Sequence, residues 1–392
     1  MINASPASDF VSRLQRVLGH PAQPIALHEP EFSGNEWLYV KECLDTGWVS
    51  SVGKFVDEFE ARLAEVTGAK HAIAVVNGTA GLHVALHVAG VMPGDEVFAP
   101  ALTFVATANA IAHCGAVPHF IDSEERTFGM DPEALSNRLA EVAEPIAGGG
   151  YRNRLTGRRL AGIVPMHVFG QPMEIEALVE IAGRYGLPIV EDAAESLGSF
   201  SSGKHTGTFG AMGVLSFNGN KVITTGGGGA VLTNDSTMAH RLKSLTTTAK
   251  RPHPWEFVHD ETAFNYRLPN LNAALGCAQL EQLPGMLLRK RRLADAYANA
   301  FADCSPLVFS RSADSNCWLN AIRFVGASFE DRDSLLRASI DAGYHCRPVW
   351  RLMHRLPMYQ ACPRGPVDVA ERLERELINL PSSAVLAEGV SS

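Results

Sequence analysis

No stretch of the 392 residues is apolar for long enough to cross a bilayer, and the N-terminal MINASPASDFVSRLQRVLGH lacks a basic segment followed by an apolar run. A cytoplasmic protein with no membrane partner is the expectation. An excess of basic residues is also missing. With 34 Lys and Arg against 42 Asp and Glu, the formal net charge of −8 offers no general attraction to nucleic acid, and none is expected as a partner. Cysteine is scarce and unpatterned. The seven residues Cys43, Cys114, Cys277, Cys304, Cys317, Cys346 and Cys362 are odd in number and show no C-x-x-C spacing, which fits reduced thiols and not a disulfide framework or a zinc site. H-E-x-x-H and G-x-S-x-G do not occur, and the glycines 226–229 are not followed by the Lys-Ser/Thr of a P-loop. No G-x-G-x-x-G opens a helix after the first strand. Metal hydrolysis, serine-nucleophile chemistry, nucleotide hydrolysis and nicotinamide redox chemistry therefore have no support, and no metal is expected.

What is present from residue 71 onward is an alternation of short apolar runs with helical patterns: HAIAVV, TAGLHVALHVAG, EVFAPA, FVATANAIAHCG and AVPHFID. Such runs are too short for helices and suggest βα units around a mostly parallel sheet with helices on both faces. AGIVPMH at 161, LPIVED at 187, GVLSFN at 213 and GAVLTN at 229 add further strands, the last two joined through the glycine run. The Gly- and Arg-rich PIAGGGYRNRLTGRRL reads as a surface loop. The chain is too long for one typical core. The pattern changes after residue 285, where a long polar helix, a strand and another helix predict a smaller C-terminal α/β domain over 286–392, against an N-terminal segment and large domain over 1–285.

Three places in the large domain carry chemistry. In VVNGTAGLHVAL a strand ends at Asn77-Gly78-Thr79 and a helix follows, so free N–H groups at its first turn suit a phosphate, although such a turn can do no more than cap the helix. LPIVED ends on Glu191-Asp192 and sets an acid at the carboxyl end of a strand, where open α/β sheets hold ligands; Asp192 could equally cap the next segment. In SFNGNKVITTGGGG, Lys221 stands alone between a strand end and glycines that let backbone approach a ligand, which suits an amine nucleophile more than an ordinary exposed lysine. Pyridoxal 5′-phosphate needs all three parts: a lysine for its aldehyde, a carboxylate for its ring nitrogen and a helix N-terminus for its phosphate.

NGTAGLHVAL, PALTFVATANAI, VEDAAESLGS, SFNGNKVITTGGGG and FNYRLPNLNAALGCAQL together resemble the DegT/DnrJ/EryC1/StrS family of nucleotide-sugar aminotransferases, within fold-type I pyridoxal phosphate enzymes. The stretches EPEFSGNEWLYVKECLDTGWVSSVGKFV and AKRPHPWEFVHDETAFNYRLPN are most similar to its LegC-type branch. The resemblance implies Lys221 as the lysine joined to the cofactor, Asp192 on the ring nitrogen, and Phe104 against the ring, with plain core packing as the alternative for Phe104. It implies Gly78, Thr79 and Ser216 on the phosphate. Glu195 falls near the phenolic oxygen, where many relatives carry Gln or His; a carboxylate beside a phenolate repels unless one of them keeps a proton. Asn265 matches an asparagine that reaches the phosphate of a neighbouring subunit, which implies a homodimer with shared active sites; alternatively it caps the helix near Asn270. His167, Trp318, Arg347 and His354 fall where the family places substrate-side residues, and each could instead be packing.

The activity implied is transfer of an amino group from L-glutamate to C4 of a nucleotide-linked 4-keto-6-deoxy-sugar, with UDP-2-acetamido-2,6-dideoxy-hexos-4-ulose as the LegC-type ketone and surface-glycan or nonulosonic acid synthesis as its use. A GDP-linked, perosamine-like ketone and a non-catalytic relative that acts as a regulator are the alternatives. Relatives that dehydrate C3 carry His in place of the lysine, and Lys221 argues against that chemistry.

Overall fold

The computed structural model describes residues 5–389. After three helices, α1 (Pro6–Leu18), α2 (Glu36–Thr46) and α3 (Lys54–Thr67), seven strands form the body of the central sheet: β1 (His71–Val75), β2 (Glu96–Pro100), β3 (Val117–Ile121), β4 (Arg159–Ile163), β5 (Val190–Asp192), β6 (Met212–Ser216) and β7 (Gly229–Thr233). Their spatial order is β1-β7-β6-β5-β4-β2-β3, with β4 and β5 joined through the parallel bridges Ile163–Ile189 and Met166–Asp192. Among these seven only β7 runs against its neighbours, but the stretch read as a surface loop adds two short strands to the sheet: Tyr151–Asn153 pairs antiparallel with β4 and with Ala143–Pro145. The mostly parallel sheet expected from the sequence is what forms.

Strands covered on both faces are apolar throughout, and β2 shows why. Val97 and Ala99 enter the core shared with the helices α4 (Gly78–Val88) and α5 (Val105–His113), whereas Phe98 enters the one shared with Pro132–Val142 and Ile175–Tyr185. Each βα step thus delivers a strand carboxyl end and a helix amino end to the same edge of the sheet.

A helix of 32 residues, Asn270–Phe301, runs on through Pro284, so the division expected after residue 285 lies inside one continuous helix. Its second half packs with a four-stranded antiparallel sheet formed by Leu307–Ser310, Asn320–Phe324, Arg347–Pro348 and Leu377–Leu380. Phe10, Leu14 and Val17 of the first helix, Pro6–Leu18, share the core of this C-terminal unit through Leu293, Tyr297 and Phe301. No described helix is long and apolar enough to cross a membrane.

Candidate active site

The carboxyl ends of β1, β5 and β6 open on a cavity of about 240 Å³. Gly78, Thr79, Phe104, Asp192, Glu195, Ser216, Lys221 and Trp318 all line it, residues that lie up to 240 positions apart in the chain.

The glycine run explains the approach of its walls. A Cβ on Gly229 would stand 2.7 Å from the Asn77 carbonyl carbon and 2.8 Å from the Gly78 nitrogen, so only glycine lets β7 lie against the start of α4. Gly78 in turn is seated on Ser216, whose Cβ lies 3.1 Å from where a side chain on Gly78 would begin. Asn77 caps α4 by accepting the Ala80 N–H at 2.8 Å. Gly78 and Thr79 precede that bond in the first helical turn and line the cavity together with Ser216, an arrangement suited to an anion.

Asp192 is 2 % exposed at the end of β5. Its Oδ2 accepts the Thr107 hydroxyl at 2.7 Å and its Oδ1 the Ala194 N–H at 3.2 Å. Burial pushes this carboxyl up, and the two donors only partly offset the effect. A buried acid so placed is served by a cation, and a protonated pyridine nitrogen is one. Phe104 is 46 % exposed, which removes the core-packing alternative and leaves its ring at the cavity mouth, 6.0 Å from that of Trp350.

Lys221 has the partners that its sequence neighbours do not provide. Its Nζ lies 3.3 Å from Glu195 Oε1 and 4.0 Å from the centre of the Trp318 ring. Trp318 is fixed by donating its Nε1–H to the Asn220 carbonyl at 2.7 Å. Glu195 Oε2 accepts the Phe169 N–H at 2.9 Å. Burial pushes the Glu195 carboxyl up to about 7.

Four of the sequence candidates do not line the cavity. His167 is fully buried beneath it: its Nδ1 accepts the Met173 N–H, so Nε2–H donates to Glu191 at 3.1 Å, and both ring nitrogens are spent on structure. Arg347 is exposed on the edge of the small sheet, and His354 is buried in a 3-10 turn with Glu371 at 3.4 Å. Asn265 is exposed and bridges to Thr247, while the cap position of the long helix is held by Pro269, so Asn265 is not its cap. Sequence reasoning passed over Thr107, Trp350, Asn218 and Asn220. Thr107 lies three residues beyond Phe104 and Trp350 three beyond Arg347, and only the fold turns them toward the site. His83 and His87 have the i, i+4 spacing of a metal pair, but both pack on Phe264 (4.9 and 5.8 Å), and no cluster of three metal ligands stands among the described residues.

A lysine, a buried acid and an anion-binding helix start around one cavity on this sheet define a pyridoxal 5′-phosphate enzyme of fold type I, and the residues present fit that cofactor. The sequence matches the DegT/DnrJ/EryC1/StrS aminotransferase family over residues 30–390, and the chain belongs to that family. It is 36 % identical over 368 residues to a GDP-perosamine synthase of Caulobacter vibrioides, covering 93 % of this chain and 94 % of that one. It is also 36 % identical over 373 residues to EpsN of Bacillus subtilis strain 168, provisionally named a pyridoxal phosphate-dependent aminotransferase, covering 93 % and 92 %. A crystal structure of a DegT DnrJ EryC1 StrS aminotransferase from Brucella abortus superposes with a TM-score of 0.80 at 28 % identity, over 89 % of this chain and 90 % of that one. The protein is a pyridoxal phosphate-dependent aminotransferase.

Proposed function

We propose that the protein transfers an amino group from L-glutamate to C4 of a nucleotide-linked 4-keto-6-deoxy-sugar, giving a 4-amino-sugar nucleotide for surface-glycan or nonulosonic acid synthesis. The observation that carries this reading is the meeting of Lys221 Nζ, buried Asp192 and the open start of α4 in one cavity. When bound there, the cofactor supplies an aldehyde that takes up amines and a ring that draws electrons from the carbon beside the nitrogen. Asp192 keeps the ring nitrogen protonated, and Gly78, Thr79 and Ser216 hold the phosphate. Lys221 Nζ takes the proton from Cα of the amino donor and, in the second half, hands one to C4 of the sugar. The face from which Nζ delivers that proton sets the configuration at C4. Phe104 would lie against the ring of the bound cofactor, with Glu195 toward its phenolic oxygen and Trp318 on the substrate side.

The working unit in this proposal is a homodimer in which Asn265 of the partner subunit reaches the phosphate. Supporting it are the exposure of Asn265 and the apolar surface of Trp37, Leu38, Leu44, Trp48 and Val52, each more than half exposed. The LegC-type likeness supports UDP-2-acetamido-2,6-dideoxy-hexos-4-ulose as the ketone. A GDP-linked ketone is the second reading, favoured by the name of the Caulobacter relative. Purified protein given L-glutamate and a panel of UDP- and GDP-linked 4-keto-sugars, with products read by mass and proton NMR, separates the two. Amination of neither, alongside turnover of a ketone that carries no nucleotide, would remove the proposal.

A further inference from the structure

We propose that Glu195 is the proton partner of Lys221: when the lysine amine is free in the cavity, Glu195 Oε1 takes a proton from its ammonium and later returns it. Nζ is thereby made a base. The inference rests on the reading of Lys221 as the cofactor's lysine. In the step one N–H bond at Nζ breaks and one O–H bond at Oε1 forms. Ammonium and carboxylate become amine and acid, and no electron changes hands.

The carboxyl is built to face the amine. Phe169 N–H fixes Oε2 at 2.9 Å, which leaves Oε1 turned to Lys221 Nζ at 3.3 Å. Phe169 makes that bond from a left-handed backbone, φ 57°, although it is a bulky and fully buried residue. Cys317, also buried, has φ 53° and leads into Trp318, whose ring covers the same Nζ. Backbone of this kind costs on the order of 1–3 kcal/mol per residue and persists where the surroundings dictate it. Asn316 ties the backbone of the two groups together: its Nδ2 donates to the Glu195 and Leu197 carbonyls at 2.8 and 2.9 Å, and its Oδ1 accepts the Trp318 N–H at 2.8 Å. One asparagine therefore sets both groups that touch the lysine.

The neighbouring acids are committed elsewhere. Glu191 accepts three backbone N–H groups, from Gly207, Phe209 and Gly210, and Asp192 belongs to the ring nitrogen. Glu195 has one backbone donor and the lysine. Burial raises it to about 7, while the charge of Lys221 lowers it and that of Asp192 raises it. A carboxyl in that range exchanges a proton near neutral pH. A glutamine could donate to or accept from a phenolic oxygen, but it cannot carry the proton of an ammonium, so Glu195→Gln separates the two roles.

The cofactor-free protein gives a readout that does not depend on turnover. Infrared spectra should show a protonated-carboxyl stretch that is absent in Glu195→Gln and titrates near pH 7, and its midpoint should rise in Lys221→Ala because the opposing cation is gone. In the loaded enzyme, Glu195→Gln should slow the half-reaction with L-glutamate on the order of a hundredfold and flatten its pH profile. A midpoint that does not move in Lys221→Ala, or a Glu195→Gln half-reaction with the parent's rate and pH profile, overturns the proposal. Borohydride reduction and peptide mapping test the reading beneath it separately: a pyridoxyl group on another lysine refutes Lys221 as the cofactor's lysine, while the infrared coupling of the pair is read independently.

Discussion

Opposite ends of the same sheet hold buried acids that behave in opposite ways. At the amino end, Glu96 opens β2 with no exposure and accepts His119 Nδ1–H at 2.6 Å, Asn153 Nδ2–H at 2.6 Å and the Thr156 hydroxyl at 2.9 Å. Arg138 donates to His119 Nε2 at 2.9 Å, which fixes the tautomer. Burial pushes Glu96 up, but these donors outweigh it and hold the carboxyl below its usual range. At the carboxyl end Asp192 and Glu195 are almost as deeply buried, have fewer donors, and are pushed up. Burial is common to both places, and the supply of donors is what differs. An acid whose lone pairs are filled is part of the scaffold, whereas one left short beside a cavity is ready for a ligand.

Lys221→Ala breaks the carboxyl-end site most completely. It removes the proposed proton carrier but leaves Asp192 and the start of α4, so cofactor should still bind while amino transfer falls on the order of 10⁴-fold. Absorbance of the cofactor-loaded variant, together with single-turnover assays, checks this. Loss of binding itself would mean that the acid and helix start do not hold the cofactor as argued.

At the other end the expected effect is on stability. Glu96→Ala strands His119, Asn153 and Thr156 without their acceptor and should cost about 3–5 kcal/mol in urea unfolding, with kcat per folded molecule unchanged. A fall in kcat without a fall in stability would place Glu96 in the chemistry and undo the contrast.

The two ends should also answer pH in opposite directions. The values of Glu96 and His119 are both lowered, so the stability they contribute is complete above the ordinary histidine range and is lost as pH falls, first through His119 and then through Glu96. Glu195 is raised, so its contribution is complete below the ordinary carboxylate range and is lost as pH rises through about 7. Cofactor-free Glu195→Gln should therefore gain on the parent by about 2 kcal/mol as the medium passes from mildly acid to mildly alkaline. Parallel urea curves at the two pH values would show that Glu195 is not held neutral by burial.

How much of this could be read from residues alone follows from what kind of signal each part carries. The sheet was legible because strands buried on both faces are written as apolar runs, and Lys221, Asp192 and the Gly78-Thr79 turn were legible because each sits at a strand end with its own local signature. Donors that arrive from elsewhere have no such signature. Thr107 looks like any helix threonine until α5 sets it 2.7 Å from Asp192, and Trp350 is one aromatic among several until it meets Phe104. His167 and His354 show the reverse. A histidine near a motif invites a substrate role, and only the packing reveals that Glu191 and Glu371 have already taken them. The helix through Pro284 hid for a related reason, since proline is a breaker in isolation and tolerated where neighbours hold the turn.

A smaller break at the cavity is Thr107→Val, which keeps the volume and removes the hydroxyl from Asp192 Oδ2. A hydrogen bond to a charged acceptor contributes about 1.5–3 kcal/mol, part of which the cofactor's own cation should restore. Cofactor affinity is expected to fall roughly tenfold, about 1.4 kcal/mol, with the bound absorbance shifted toward forms lacking a ring proton. Unchanged affinity and spectrum would show that the Ala194 N–H suffices to hold Asp192 in place.

The smallest expected effect is at Trp318, and it sharpens the contrast by testing a partner of Lys221 that itself carries no formal charge. Trp318→Phe keeps an aromatic face toward Lys221 Nζ but shrinks it, and it deletes the Nε1–H that the Asn220 carbonyl accepts at 2.7 Å. Exchange of indole for benzene under a cation is worth about 0.5–1 kcal/mol, and the abandoned carbonyl borders the cavity, where water can replace the lost donor. Half-reaction rates with L-glutamate should therefore drop only roughly two- to fivefold, with the pH profile kept because Glu195 and Lys221 remain in contact. Trp318→Ala should cost more, since it opens the side of the cavity that keeps water from Nζ. If Phe and Ala were equally mild, the ring would be a wall and nothing more. If Phe were as damaging as Lys221→Ala, the bond to Asn220 would be what fixes the lysine loop, and the carboxyl end would depend on its hydrogen bonds as strictly as the amino end does.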